Sequence, residues 1–341
     1  KASLMRGTIA RRPAYETNAE TMGLFTLVYP GLKNIKRPAT LVDYLDKHNI
    51  ELKDQDWQDY LKLCLDYFVR LNNHIQPLVD DERKYVRDSN ISTPFSAPDD
   101  KRENVKAWQL LNRKDDGTVS HRQPRIVIML CAGLKIHNLD DLQKNANVVE
   151  AIVNDAFNQL VDNKILTKVK ADDTDGYNNP NISSHADERY VGCYFLDLSG
   201  REGNNVCRIK RTESVWLCPV TNQLLDTTFC GYSPLIVGEF SEKLFESYLC
   251  SEEKITMPCR PKDNDEVPSW MESDENVKNL IEKGLWSDRH KYTYKKTPAY
   301  IAAEHSAQQS KKLLRDYTKS FSQQNPSINV LHCSTTMEMG V

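Results

Sequence analysis

Residues Tyr300–Val341 read "YIAAEHSAQQSKKLLRDYTKSFSQQNPSINVLHCSTTMEMGV". A short apolar start runs into a polar turn holding Glu304, His305, Ser306 and Gln308. A helix then extends to about Phe321. After a second turn, "INVLHCS" has the apolar character of a buried strand. Strand, loop, helix, strand is half of a parallel α/β unit. Ligands of such sheets gather at the carboxyl ends of the strands. Here the second strand ends in Ser334, Thr335 and Thr336, whose small hydroxyl side chains allow close backbone approach and offer donors to phosphate oxygens.

Upstream, the 341 residues are enough for two or three domains. Hydrophobic residues make up 39% and charged residues 27%, as in a soluble globular chain. The longest apolar run, "IVIMLCAGL" at 126–134, is half of the ~18 residues that a membrane span needs, so no membrane partner is expected. Lys1 opens the chain, and "KASLMRGTIARR" has no apolar signal-peptide core. The formal net charge of −3 excludes polyanion binding by bulk charge, but the charge is uneven. Arg11 and Arg12 lie in a basic N-terminal stretch. Lys295 and Lys296 close "RHKYTYKK", which interleaves cations with Tyr292 and Tyr294. Cations beside aromatic rings suit phosphate contact with base stacking, although solvated surface segments read the same way.

Between these ends, Thr40 is a candidate N-cap for "LVDYLDKH". Trp57, Tyr60, Leu61, Cys64, Phe68, Leu71 and Ile75 form one helical apolar face. Residues 88–124 are polar and punctuated by proline, which predicts a surface connection with one short helix near Val105–Leu111. From 125, the pattern predicts a buried helix, a short second helix capped by Asn138, and a third from "ANVVEAIVNDAFNQLVD". Two strands follow, flanking an acidic loop with Asp172, Asp173 and Asp175. That order is winged-helix-like. The polar face of the third helix holds Glu150, Asp155 and Asp162 and no arginine, which argues against phosphates and for a packing or interaction role.

Nine cysteines with no C-x-x-C pair argue against a disulfide scaffold. Five of them, Cys207, Cys218, Cys230, Cys250 and Cys259, fall in or beside a strand-rich stretch. Their spacing is wider than the two to four residues by which zinc sites pair thiolates, so metal-free packing is expected there. Residues 260–297 start as an acidic linker, then predict a helix from Glu275 to Lys283 ended by Gly284. No G-x-x-x-x-G-K-[ST], G-x-S-x-G or H-E-x-x-H pattern occurs.

The segment "INVLHCSTTMEMGV", preceded by "EHSAQ" and a helix, resembles motif V of the second RecA-like domain of superfamily 2 DEAD/DEAH-box helicases. The form Thr-x-x-Glu-x-Gly-Val, from Thr335 to Val341, is similar to that of large bacterial helicases carrying an extra C-terminal domain of unknown function. These include Lhr-like repair helicases and defence helicases of Druantia and DISARM type. "SVWLCPVTNQLLDTTFCGYSP" also resembles a small β insert of such enzymes. The resemblance implies an ATP-dependent DNA helicase or translocase acting in the bacterial cytoplasm, in phage defence or repair. Its partners would be DNA, as a single strand or a duplex with a single-stranded tail, and further subunits of a defence complex. It puts Ser334, Thr335, Thr336, Glu304, His305 and Gln308 at the nucleic acid. It puts Glu338 and Gly340 on the turn toward the ATP cleft, as the catalytic pair, and it implies no metal-ligating residue.

The family's phosphate loop, its Mg²⁺ carboxylates and its arginine-bearing motif VI are missing from these residues. ATP and Mg²⁺ are therefore expected in a longer parent and not in this piece alone. The family's next residue after Val341 is aspartate, so an internal fragment is expected.

The expected fold is multidomain α+β. It comprises a helical subdomain (1–87), a connection (88–124), a winged-helix-like domain (125–199), a small β insert, zinc-ribbon-like and metal-free (200–260), a linker (261–297) and a partial RecA-like unit (298–341). Two other functions fit the residues. One is a non-catalytic module that binds nucleic acid or protein, and the other is a zinc-dependent regulatory protein using the cysteines at 207–259.

Overall fold

Trp57, Tyr60, Leu61, Cys64 and Phe68 recur every three or four residues, and each is fully buried. They lie on α2 (Asp54–Cys64) and its continuation, a π-helical segment Leu65–Arg70. Asp54 and Asp56 sit in the first turn of α2, where negative charge is favoured, and the Asp56 carboxylate accepts from the Lys53 N–H at 2.7 Å. A computed structural model describes residues 20–72, 74–76, 93–170, 188–198, 206–263, 265–286, 302–305, 310–322 and 330–333 of the chain. Helices and strands are mixed throughout. The chain divides into two units, Lys1–Pro258 and Cys259–Val341.

In the first unit, β1 (Phe25–Val28) leads through a 3₁₀ turn (Pro30–Asn34) to α1 (Ala39–His48). Pro38, not Thr40, is the N-cap of α1. The Thr40 hydroxyl is drawn instead to the Asp155 carboxylate. Asn49, at φ +51°, ends the helix with its N–H on Asp46. The apolar stripe also ends earlier than its spacing suggests. Ile75 is buried on β2 (Ile75–Gln76) and not on the helix.

Every residue from Ile126 to Gly133 of α3 (Arg125–Gly133) is buried, which explains its lack of a polar face. Next comes α4 (Leu139–Asp162), capped as expected by Asn138, whose side chain accepts from the Asp141 N–H at 2.9 Å. The two helices expected between 138 and 162 are this one helix, so the three-helix order of a winged helix does not form. No glycine or proline interrupts "LQKNAN", and Leu142, Ala146, Val149, Val153, Ala156 and Leu160 make one unbroken buried stripe. The hairpin does form. β3 (Leu166–Lys168) pairs antiparallel with β4 (Tyr194–Asp197), and β2 joins the other edge of β4 in parallel.

Residues 93–124 are not a surface connection. Phe95, Trp108, Leu111 and Val119 are buried in the same core as α2, α3 and α4. The helix expected near 105–111 is absent, because the backbone there pairs with the segment around Ser96. Ser96 N–H donates to Lys106 O at 2.9 Å, and Trp108 N–H to Ser96 O at 2.9 Å. One apolar cluster runs from Tyr29 to Cys250 and so crosses the boundaries expected at 87, 124 and 199.

The stretch expected to be a small β element contains β5 (Arg208–Arg211), β6 (Ser214–Leu217), β7 (Leu224–Leu225), α5 (Glu242–Tyr248) and β8 (Ile255–Thr256). β5 pairs antiparallel with β1, and β6 lies between β7 and β8.

The second unit starts with α6 (Val267–Ser273) and α7 (Glu275–Glu282). Lys283 caps α7 and Gly284 follows at φ +70°, donating to Ile281 O at 2.9 Å, close to the predicted stop. β9 (Ala302–His305), α8 (Lys311–Phe321) and β10 (Val330–Cys333) come next. Ser310 caps α8 by accepting from the Leu313 N–H. β9 and β10 pair in parallel, Ala302 with Val330 through His305 with Cys333. No described helix is long and apolar enough to cross a membrane.

Candidate functional site

The parallel β9–α8–β10 unit sets the geometry of the candidate site. Both strands run in the same direction, so their carboxyl ends, His305 and Cys333, lie side by side. The segments 306–309 and 334–341 leave from those two ends. This is the edge at which a parallel sheet collects ligands. Glu304 and His305 lie inside β9, opposite His332 and Cys333, and not in the turn where the sequence pattern put them. The pairing of four successive residues with β10 carries the strand past the two alanines to His305. Gln308, Ser334, Thr335, Thr336, Glu338 and Gly340 lie outside the described residues, as do Arg11, Arg12, Lys295 and Lys296.

The polar face of α4 is engaged by the chain itself. Arg113 forks onto it, with Nη2 2.8 Å from Glu150 Oε2 and 3.3 Å from Asn147 Oδ1. Gln159 accepts from the Trp57 indole N–H at 2.7 Å and donates to Lys36 O at 3.0 Å. Thr40 holds Asp155. Contacts from Thr40, Trp57, Lys36 and Arg113 thus occupy part of the polar face of α4, while Asn158 and Asp162 on it are exposed.

A second cluster escaped the sequence reading. Arg70, 1% exposed, grips both Glu20 oxygens, Nη1–Oε1 at 3.0 Å and Nη2–Oε2 at 2.7 Å. Arg70 also reaches Asp66 Oδ1 at 2.8 Å, and the Tyr29 hydroxyl donates to the same oxygen at 2.8 Å. Lys62 bridges Asp66 to Asp226, with Nζ 2.8 Å from Asp226 Oδ2. Thr26, on β1, completes the shell of Asp226. Burial works against these charges, but the pairing prevails. Lys62 holds the Asp226 carboxyl below its usual range, and Glu20 raises Arg70 further. Burial and the Asp66 charge raise the Tyr29 hydroxyl, and burial pushes the neighbouring Cys207 thiol up to about 12. Each carboxylate in the cluster already faces a cation, so the arrangement locks β1, α2 and the β7 region together. The i, i+4 spacing of Lys62, Asp66 and Arg70 was visible in sequence, whereas the distant partners Glu20 and Asp226 left no local signal.

Of the cysteines of the β region, Cys218 and Cys250 lie near each other. Cys218 is buried and accepts from the Ser233 hydroxyl at 3.2 Å. Cys250 is buried, and Cys230 and Cys259 are exposed. Among the described residues, no three His, Cys, Asp or Glu side chains are placed to hold a metal ion.

No family model, curated protein or solved structure matches this chain.

Proposed function

We propose that this chain is part of an ATP-dependent DNA translocase or helicase. Its second unit would contribute the leading strands of a second motor domain, and its first unit would be an accessory body packed from one core. The observation that carries this reading is the parallel pairing of β9 with β10 across α8. It supplies the topology that the motif V-like segment requires, and the hydroxyl-rich Ser334, Thr335 and Thr336 follow directly from the carboxyl end of β10. In this reading those hydroxyls, with Glu304, His305 and Gln308, face the nucleic-acid backbone. Glu338 and Gly340 sit on the turn toward bound ATP and Mg²⁺. The phosphate loop and the Mg²⁺-binding carboxylates come from outside these 341 residues, so hydrolysis belongs to the longer protein. The protein would act in the bacterial cytoplasm, in phage defence or DNA repair, with further subunits as partners.

The test is ATP hydrolysis by the full-length protein with and without single-stranded DNA. DNA-stimulated hydrolysis that falls at least about tenfold in Thr335→Ala and in Glu338→Ala is the expected result. A full-length protein with no DNA-stimulated hydrolysis would sink the proposal.

A further inference from the structure

β5 places three cations in four residues, Arg208-Ile209-Lys210-Arg211, and all four residues are exposed. On a strand, residues two apart share a face and are separated by about 6.7 Å. Arg208 and Lys210 therefore project from one face at a step of the same order as that between successive phosphates of an extended single strand. Their partners across the β1–β5 pair, Val28 and Thr26, are uncharged. Arg208 makes no ion pair among the described residues, and Lys210 has only a loose one, 3.8 Å from Glu213, with both side chains mostly in water. Arg211 is engaged, with Nη2 donating to Pro258 O at 3.2 Å. Among the described residues, these two cations on one strand face thus have no anionic partner closer than Glu213, and they sit on a strand instead of a loop.

We infer that this face of β5 is a contact track for the phosphodiester backbone of a single nucleic-acid strand, with Arg208 and Lys210 on successive phosphates. An arginine guanidinium offers paired donors to one phosphate, and lysine supplies a point charge to the next. The inference rests on the translocase reading and adds to it a nucleic-acid contact in the first unit, far in sequence from the motif V-like segment. A cationic edge strand also discourages strand-to-strand aggregation. Charge of either sign serves that purpose, whereas only positive charge serves phosphate binding.

Charge reversal separates the two. The full chain is titrated into a fluorescein-labelled oligo(dT) across a salt series, read by anisotropy, beside R208E/K210E. Solution mass and circular dichroism are followed in parallel. The expected result is a loss of about tenfold or more in affinity, with the protein still folded and monodisperse. The slope of log affinity against log salt should flatten by about 1.4, because each single-strand phosphate contact contributes about 0.7. R208Q/K210Q gives the same readout if the reversed variant does not fold. Oligonucleotide binding by the parent chain that both variants match, with the same salt slope, overturns this track and leaves the translocase reading standing. No oligonucleotide binding by the unsubstituted chain overturns the track, while the translocase reading is decided separately by DNA-stimulated hydrolysis in the full-length protein.

Discussion

Arg70 and Glu20 face each other as a two-pronged pair inside the first unit, both side chains at least 97% out of water and joined at 3.0 and 2.7 Å. Glu20 precedes β1, and Arg70 ends the π-helical segment, so the pair ties two elements fifty residues apart. Removing one partner takes away the two-pronged counter-ion of the other inside a dry site; Arg70 then keeps only its single bond to Asp66 among the contacts described above. Arg70→Met and Glu20→Gln are each expected to lower stability by about 3–5 kcal/mol, measured by urea unfolding. Losses under about 1 kcal/mol in both variants would show that the pair is not holding these elements.

His74 supplies a pH dependence. It is 2% exposed, packed against Phe68 and Phe95, with Nδ1 on the Thr93 carbonyl. Burial pulls its pKa down to about 4. The unfolded chain then takes up a proton near pH 6.5 that the folded chain refuses until about pH 4. Its contribution is fully present above pH 6.5 and is lost as the pH falls toward 4, on the order of 2 kcal/mol by pH 5. His74→Phe should flatten the part of the stability profile between pH 7 and pH 5. An unchanged profile would assign the acid sensitivity to other groups.

Gly133 marks a close approach. A Cβ built on it would overlap the Phe229 ring and stand 3.3 Å from Cys230 Sγ. Phe229 is 1% exposed and packs at a tilt against Tyr60, so it has little room to retreat. Gly133→Ala should cost about 1–3 kcal/mol despite its gain in helix propensity. A thermal melt showing stabilisation would mean that Phe229 yields easily.

Gln159 joins α4 to α2 and to the segment at Lys36 through one amide. Gln159→Leu would leave the Trp57 indole N–H buried without its acceptor, at a cost of about 1–3 kcal/mol. The same variant should leave oligonucleotide affinity unchanged if α4 packs and does not read DNA. A selective loss of binding without loss of stability would assign the helix to the nucleic acid.

What the sequence made legible was local. The Trp57–Phe68 stripe, the Asn138 cap, the stop at Gly284 and the β9–α8–β10 order all follow from spacing and turn chemistry within one element or two neighbours. The misreadings share a different cause. Thr40 and the helix break expected within 138–162 mislead because hydroxyl and amide residues resemble caps until their tertiary partners are known. Trp108 and Phe95 were lost inside a polar, proline-rich stretch, yet ring packing with Phe68 and Phe157 draws them inside. Lys62 meets Asp226 164 positions away, and no periodicity reports such a pairing. At the candidate site, backbone pairing decided the placement of Glu304 and His305 over their polar character.

The single core from Tyr29 to Cys250 bears on how such a chain can evolve. Segments that read as four separate pieces share one interior, so none could be exchanged with a relative's counterpart without exposing apolar surface on the rest. Recombination breakpoints at 87, 124 or 199 would be purged. Change inside this unit must come by compensated substitution, and the boundary near Pro258 is the place where whole pieces can be gained or lost.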